Sequence, residues 1–169
     1  MSFFENFASQ FSKAFLVDNR WKIFLKGFGN TIIITLGAAA IGIVIGVVAA
    51  VFRYAAAQRD PRKKKTFGSM VVTVIDKFIA IYVAVIRGTP LAIQLMIMAF
   101  IIMQGVTNSV VVAIVAFGLN SGGYVSEVIR AGIQSVDGGQ MEAGRSLGLD
   151  RVTTMRLIIL PQALKNILP

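Results

Sequence analysis

Most of the charge in this chain falls in the gaps between long apolar blocks. From Gly27 through Phe52 there is no charged residue, long enough to cross a hydrocarbon core with some tilt, because about 20 apolar residues suffice. Two largely apolar runs, 69–86 and 91–104, flank Arg87-Gly88-Thr89-Pro90. Another runs from Val110 to about Ile133, and a last one begins near Leu157. Ahead of the first block, residues 1–26 place Phe3, Phe4, Phe7, Phe11 and Phe15 at helix-like spacing. This suits an amphipathic helix lying at a membrane interface with Trp21 as an anchor; a partly ordered tail is the competing reading. The segment offers no apolar core followed by a small-residue cleavage site, so the first span is expected to act as its own insertion signal.

The gaps set an orientation. Between Arg53 and Lys65 lie six basic residues (Arg53, Arg59, Arg62, Lys63, Lys64 and Lys65), with a turn at Asp60-Pro61. This places that loop on the cytoplasmic side. Leu91 to Gln104 is too short to cross alone. Two separate crossings within 66–104 would also carry Arg130, Arg145, Arg151 and Arg156 to the outside, against the same rule. Residues 70–104 are therefore expected to form one bent span, kinked at Pro90, with Arg87 near the inner face or in the protein interior.

Composition fits this picture. Hydrophobic residues make up 56% of the chain and charged ones 15%, where soluble domains carry about 25% charged. The net charge of +9 falls in the loops rather than in a patch suited to nucleic acid, so no nucleic-acid partner is expected. With neither Cys nor His in the sequence, disulfides, thiolate metal sites and His-based acid–base catalysis are excluded.

Within the first block, Gly42 and Gly46 form a small-xxx-small pair, extended by Gly37, Ala38, Ala49 and Ala50. Close helix packing is one reading; the general abundance of glycine in such helices is the other. The third span is interrupted by Asn120, Ser121, Tyr124, Ser126 and Glu127. Polar groups at membrane depth must face protein or a water-filled cavity. They line a translocation pathway, together with Gln94 of the preceding run, or they bond helix to helix.

The most polar segment runs from Glu142 to Pro161, EAGRSLGLDRVTTMRLIILP. It suits two short helices with a break. Asp137 can cap the first, with Gln140 completing a box-like start. Gly148 stands where a left-handed residue would end it, Asp150 can cap the second, and Pro161 would kink or restart the helix that follows. An ordinary helix-turn-helix explains the caps but not the joint spacing of Glu142-Ala143-Gly144, Gly148, Ile158, Leu160 and Pro161. That spacing resembles EAA-x3-G-x9-I-x-L-P, the cytoplasmic loop of bacterial ABC-importer permeases, with Gly144 in place of the usual Ala. The run LNSGGYVSEVIRAGIQSVDGGQ, residues 119–140, resembles the stretch before that loop in permeases for polar amino acids. Arg87-Gly88-Thr89-Pro90, and Gly27 followed by Thr31, agree with the same branch.

The resemblance covers most of the chain from Gly27 to Pro169. It implies an all-α, multi-pass transmembrane helical bundle of the type I importer permease fold, with a five-span core. Here that comprises spans at about 27–52, 70–104 and 110–133, a coupling loop over 137–156 and the start of another span from 157. The family's last spans are not in this sequence, which is not expected to transport alone. The resemblance further implies a bacterial plasma-membrane protein that is not an enzyme. Its partners would be a separate ABC ATPase, an external amino-acid-binding protein and a second permease subunit. ATP and Mg would be held by the ATPase, since the chain has no G-x-x-x-x-G-K-[ST] and needs no cofactor of its own. Glu142, Ala143, Gly144, Arg145, Gly148, Leu160 and Pro161 would make the coupling element, with Gly144 allowing close approach to a groove on the ATPase. A passive channel or ion-coupled carrier, using Arg87 and Glu127 as an ion path, and a membrane scaffold are the readings from other classes.

Overall fold

The computed structural model describes residues 3–57 and 66–168; most of the basic loop, Arg59 to Lys65 with Asp60-Pro61, lies outside them. Among the described residues every regular element is helical. The order is α1 (Phe3–Phe11), α2 (Trp21–Ala57), α3 (Phe67–Gly88), α4 (Leu91–Ile97), α5 (Ser109–Gln134), α6 (Gly139–Ser146), α7 (Arg151–Thr154) and α8 (Leu160–Ile167). Three of these, α2, α3 and α5, are long and apolar enough to cross a membrane.

Small residues join α2 to α5. The buried positions of α2 are Ala38, Gly42, Gly46, Ala49 and Ala50, one stripe at intervals of three to four residues. On α5 the buried set includes Ala116, Gly118, Gly122, Gly123 and Ser126. The contact is reciprocal. A Cβ on Gly42 would lie 2.6 Å from Ser121 Cβ and one on Gly46 2.6 Å from Val125 Cβ. One on Gly118 would meet Ile41 and one on Gly122 would meet Ile45, each within 3.0 Å. Each glycine is a hole and the residue opposite is its knob, so the backbones approach as only glycine permits. Because 37 faces 114, 41 faces 118 and 46 faces 125, the two helices run parallel. Arg53 and Arg130 consequently lie at the same end of the bundle.

The run 70–104 is not one bent helix. α3 stops at Gly88, Thr89 and Pro90 are extended (ψ 144° and 134°), and α4 restarts at Leu91. Pro90 restricts the residue before it to extended backbone and cannot donate to the Ile86 carbonyl. Gln94 supplies the missing donor, its Nε2 reaching Ile86 O at 2.8 Å and Thr89 O at 3.1 Å. The broken helix passes through a π-helical turn at Met98–Ile102 and returns through 103–108 into α5, which Asn108 caps by accepting the Val110 amide. Tyr82 fastens α3 to α5 by donating to the Leu119 carbonyl at 2.5 Å.

Near the start, residues 3–26 are not one helix. α1 continues in a π-helical turn, Ser12–Leu16. Asp18 and Asn19 then take left-handed backbone, φ 55° and 56°, a conformation Asp and Asn tolerate better than bulkier residues. Trp21 to Lys26 belong to α2 instead. Phe7, Phe11, Phe15 and Phe24 stack in sequence, tying α1 to the first turns of α2.

Replacing Gly46 by Leu drives a branched side chain into Val125 and is expected to destabilise the protein by about 1–3 kcal/mol. Gly29→Leu, at a position with open space around it, should be neutral or slightly stabilising. Thermal unfolding of both variants in one detergent checks this; equal midpoints would contradict the seam.

Candidate functional site

The polar hairpin between α5 and α8 is built from its caps upward. Asp137 accepts the Gly139 amide at 2.7 Å, but the box expected with Gln140 does not form. Gln140 instead faces α8, its side-chain oxygen accepting from Gln162 at 3.3 Å. α6 ends at a left-handed Gly148, φ 84°. The Leu149 amide donates to Gly144 O at 3.2 Å and the Gly148 amide to Arg145 O at 3.0 Å, the paired bonds of a Schellman ending that needs a residue without a Cβ.

Two residues on, Asp150 accepts the Val152 and Thr153 amides at 2.8 and 2.9 Å and the Thr153 hydroxyl at 2.9 Å, the N-cap expected for α7. The Thr153 amide and hydroxyl, followed by the Val152 amide, hold its carboxyl below the usual carboxylate range. The chain then passes through a π-helical turn, Met155–Ile159, in which Leu160 N–H bonds back to Met155 O. Pro161, in the first turn of α8, has no amide to give Leu157 O, so the i to i−4 ladder cannot continue through it.

Gly144 faces inward. A Cβ there would be 2.5 Å from Thr154 Cγ2 and 3.1 Å from Ile158 Cδ1. Its small size therefore brings α6 onto α7 and the turn that follows rather than freeing an outer surface, a correction to the role expected from the motif. Thr154 beneath it is fully buried, its hydroxyl donating to Asp150 O at 2.8 Å. Glu142, Ala143, Arg145 and Gly148 are exposed on the outer side, and Leu160 and Pro161 open α8 behind them. Two exposed residues escape the motif: Leu147 at 80% exposure and Val152 at 76%. The signal available in sequence was apolar side chains flanking a glycine turn in an otherwise charged loop.

The hairpin is fixed to the bundle. Asn166 donates to Ser135 Oγ at 2.8 Å, while Ile167 packs where a Cβ on Gly132 would stand. α8 thus returns to the end of α5, from which α6 departs.

The polar residues of α5 divide between two settings. Asn120 donates to Gln94 Oε1 at 3.0 Å, so these two bond helix to helix at the broken step of α3 and α4. Arg87 of that step reaches Glu127 at 3.5 Å and lies over the Tyr124 ring at 5.9 Å. Thr89 donates to Val85 O, and Gly88 ends α3 with open space where a Cβ would stand. Glu127 is shared: Arg130 chelates both of its oxygens, and Arg53 stands 3.6 Å away while also facing Asp76 at 3.7 Å. A carboxylate at this depth is tolerable because it is paired. The arginine and aspartate partners came from three different helices, and no sequence spacing could have assembled them. Asn120, Ser121 and Tyr124 also border an open cleft of about 640 Å³ with Thr31, Thr35 and Phe117.

Residues 66–169, more than half of the chain, match the family described as the binding-protein-dependent transport system inner membrane component. The chain belongs to that family. It is 39% identical over 148 residues to an arginine transport system permease protein, ArtQ, of Bacillus subtilis strain 168, covering 86% of this chain and 61% of that one. It is 32% identical over 151 residues to the glutamine transport system permease protein GlnP of Escherichia coli K12, covering 87% and 62%. A solved structure described as an amino acid ABC transporter with histidines aligns with a TM-score of 0.61 and 36% identity, over 80% of this chain and 57% of that chain. The chain spans between 44% and 62% of the length of the curated relatives it matches. Membership carries the all-α permease fold and a place in the membrane.

The Asp150 cap gives a prediction with a definite sign. A carboxyl held below its ordinary value stabilises the folded hairpin at neutral pH and loses that contribution as the pH falls through its folded value. Exchange of the Val152 and Thr153 amides, corrected for intrinsic rate, should be slow near about pH 6 and lose protection well below the ordinary Asp value of about 3.9. Asp150→Ala should show the unprotected rate already near neutrality. Identical protection in the two proteins would contradict the cap.

Proposed function

We propose that this chain is a transmembrane permease subunit of an ATP-driven ABC importer that carries a polar amino acid across the bacterial plasma membrane into the cell. The observation that carries the reading is the hairpin of α6 and α7: pinned at its back to α5, turned by Gly148, and presenting Glu142, Ala143, Arg145, Leu147 and Val152 outward. A short rigid helix pair with exposed apolar side chains suits docking in a groove of an ATPase subunit, which would hold ATP and Mg. Closure of that partner would be passed to α5 and α8 as a movement of the attached helices. An external binding protein would deliver the substrate, and a second permease subunit would complete the pathway. The cleft beside Asn120, Ser121 and Tyr124, with its threonines, is the stretch of this chain suited to line it. The names of the arginine and glutamine relatives support the amino-acid class.

An ion-coupled carrier would use Arg87 and Glu127 as an ion path. Both are engaged in the shared cluster with Arg53 and Arg130, which favours a structural clamp. Uptake that fails on ATP depletion but survives an uncoupler separates the two readings.

Gly148→Val should leave membrane insertion intact while lowering the ratio of uptake to ATP hydrolysis, because φ 84° is costly for a β-branched residue. The measurement is substrate-stimulated ATPase activity and uptake in the same vesicles; an unchanged ratio would count against the turn's role. Leu147→Asp with Val152→Asp should abolish co-purification of the ATPase from the native membrane. Its undiminished recovery would remove the hairpin as the docking surface.

A further inference from the structure

Two cavities, one with charged side chains on its wall and one wholly apolar in lining, adjoin at the end of the bundle where Arg53 and Arg130 lie. The first, about 280 Å³, is lined by Arg53 and Tyr54 of α2, Asp76 of α3, and Arg130, Ile133 and Gln134 of α5. The second, about 380 Å³, lies between α2, α5 and α8; apart from the Tyr54 ring its walls are aliphatic or methionine side chains, among them Val51, Met155, Leu160 and Leu164. Ala50, Tyr54 and Ile133 form walls of both. A chamber with charged side chains on part of its wall therefore continues into an apolar trough.

The charges in and around the chamber do not balance. Among the described residues, Arg53, Arg87 and Arg130 confront Asp76 and Glu127 alone, three cations to two carboxylates. Arg130 is consumed by Glu127 and by Gln134 Oε1. Arg53 differs: its contacts to Asp76 and Glu127, at 3.7 and 3.6 Å, are beyond hydrogen-bond length. Its guanidinium donors have no hydrogen-bond acceptor among the described residues. A guanidinium is a fork suited to phosphate oxygens, and basic pockets between membrane helices are sites for anionic head groups.

We propose that this paired cavity holds one anionic phospholipid, with its phosphate at Arg53 in the chamber and an acyl chain in the trough. The excess positive charge selects an anionic lipid over a zwitterionic one, and the adjoining trough selects a lipid over a soluble phosphate. The acyl chain lies against Met155, Leu160 and Leu164, the turn and helix that follow the α6–α7 hairpin, so the lipid braces that hairpin from behind. The inference rests on the chain's place in a membrane and is independent of any ATPase partner.

The test is native mass spectrometry of the chain released from nanodiscs of equimolar phosphatidylglycerol and phosphatidylcholine. One phosphatidylglycerol should be retained per chain, several-fold in preference to phosphatidylcholine. Arg53→Gln should bring the two lipids near parity, and Arg53→Lys should keep part of the preference. Leu164→Trp, which fills the trough from a half-exposed position, should lower retention of both lipids. Equal retention of the two lipids by the unaltered chain, or a preference untouched by Arg53→Gln, would overturn the proposal. So would retention unaffected by Leu164→Trp, which would mean that protein occupies the trough. Inorganic phosphate displacing phosphatidylglycerol completely at millimolar concentration would show a soluble-anion site instead and overturn the lipid assignment.

Discussion

Everything in this chain depends on how closely α2 and α5 approach. In a bilayer, apolar side chains gain little by leaving lipid for protein, so helices associate through packing and polar contacts instead. Here Gly42 and Gly46 receive α5 while Gly118 and Gly122 receive Ile41 and Ile45. That contact sets the two helices parallel. Parallel helices need an antiparallel return between them, and the broken pair α3 and α4 provides it. Tyr82 and Gln94 satisfy carbonyls on α5 and at the Pro90 step.

The same seam decides where charge can stand. With α2 and α5 parallel, Arg53 and Arg130 share an end, and Glu127 can face Arg53, Arg87 and Arg130 together. One carboxylate ties three helices at a single level, where an unpaired ion would be costly. The α6–α7 hairpin begins just beyond this clamp, and Asn166 returns α8 to Ser135 at its base. Motion imposed on the hairpin thus has a rigid route to α5.

Much of this was legible in the residues. The apolar blocks and the basic gaps between them marked out helices of spanning length, and chemistry local to the chain marked the hairpin. Gly148 and Asp150 act through their own backbone neighbours, so their roles follow from sequence alone. What depends on partners distant in the chain was not legible. Gly144 packs inward on Thr154, Gln140 meets Gln162 rather than boxing Asp137, and Asn120 bonds to Gln94. Each is a tertiary contact over ten or more residues that local spacing does not encode. The step at Thr89-Pro90 was readable as a disturbance. Whether it bent or broke the helix turned on Gln94 supplying the bond that lets both halves stop.

The role proposed for the hairpin carried by α5 is that of the surface an ATPase subunit grips. Photocrosslinking from a benzoylphenylalanine placed at Leu147, in the native membrane, tests it most directly. A single dominant protein adduct is expected, with peptides that identify a nucleotide-binding ATPase, and none from the same probe at Phe28 at the far end of α2. Adducts at Leu147 to lipid alone, or to proteins without a nucleotide-binding fold, would contradict it.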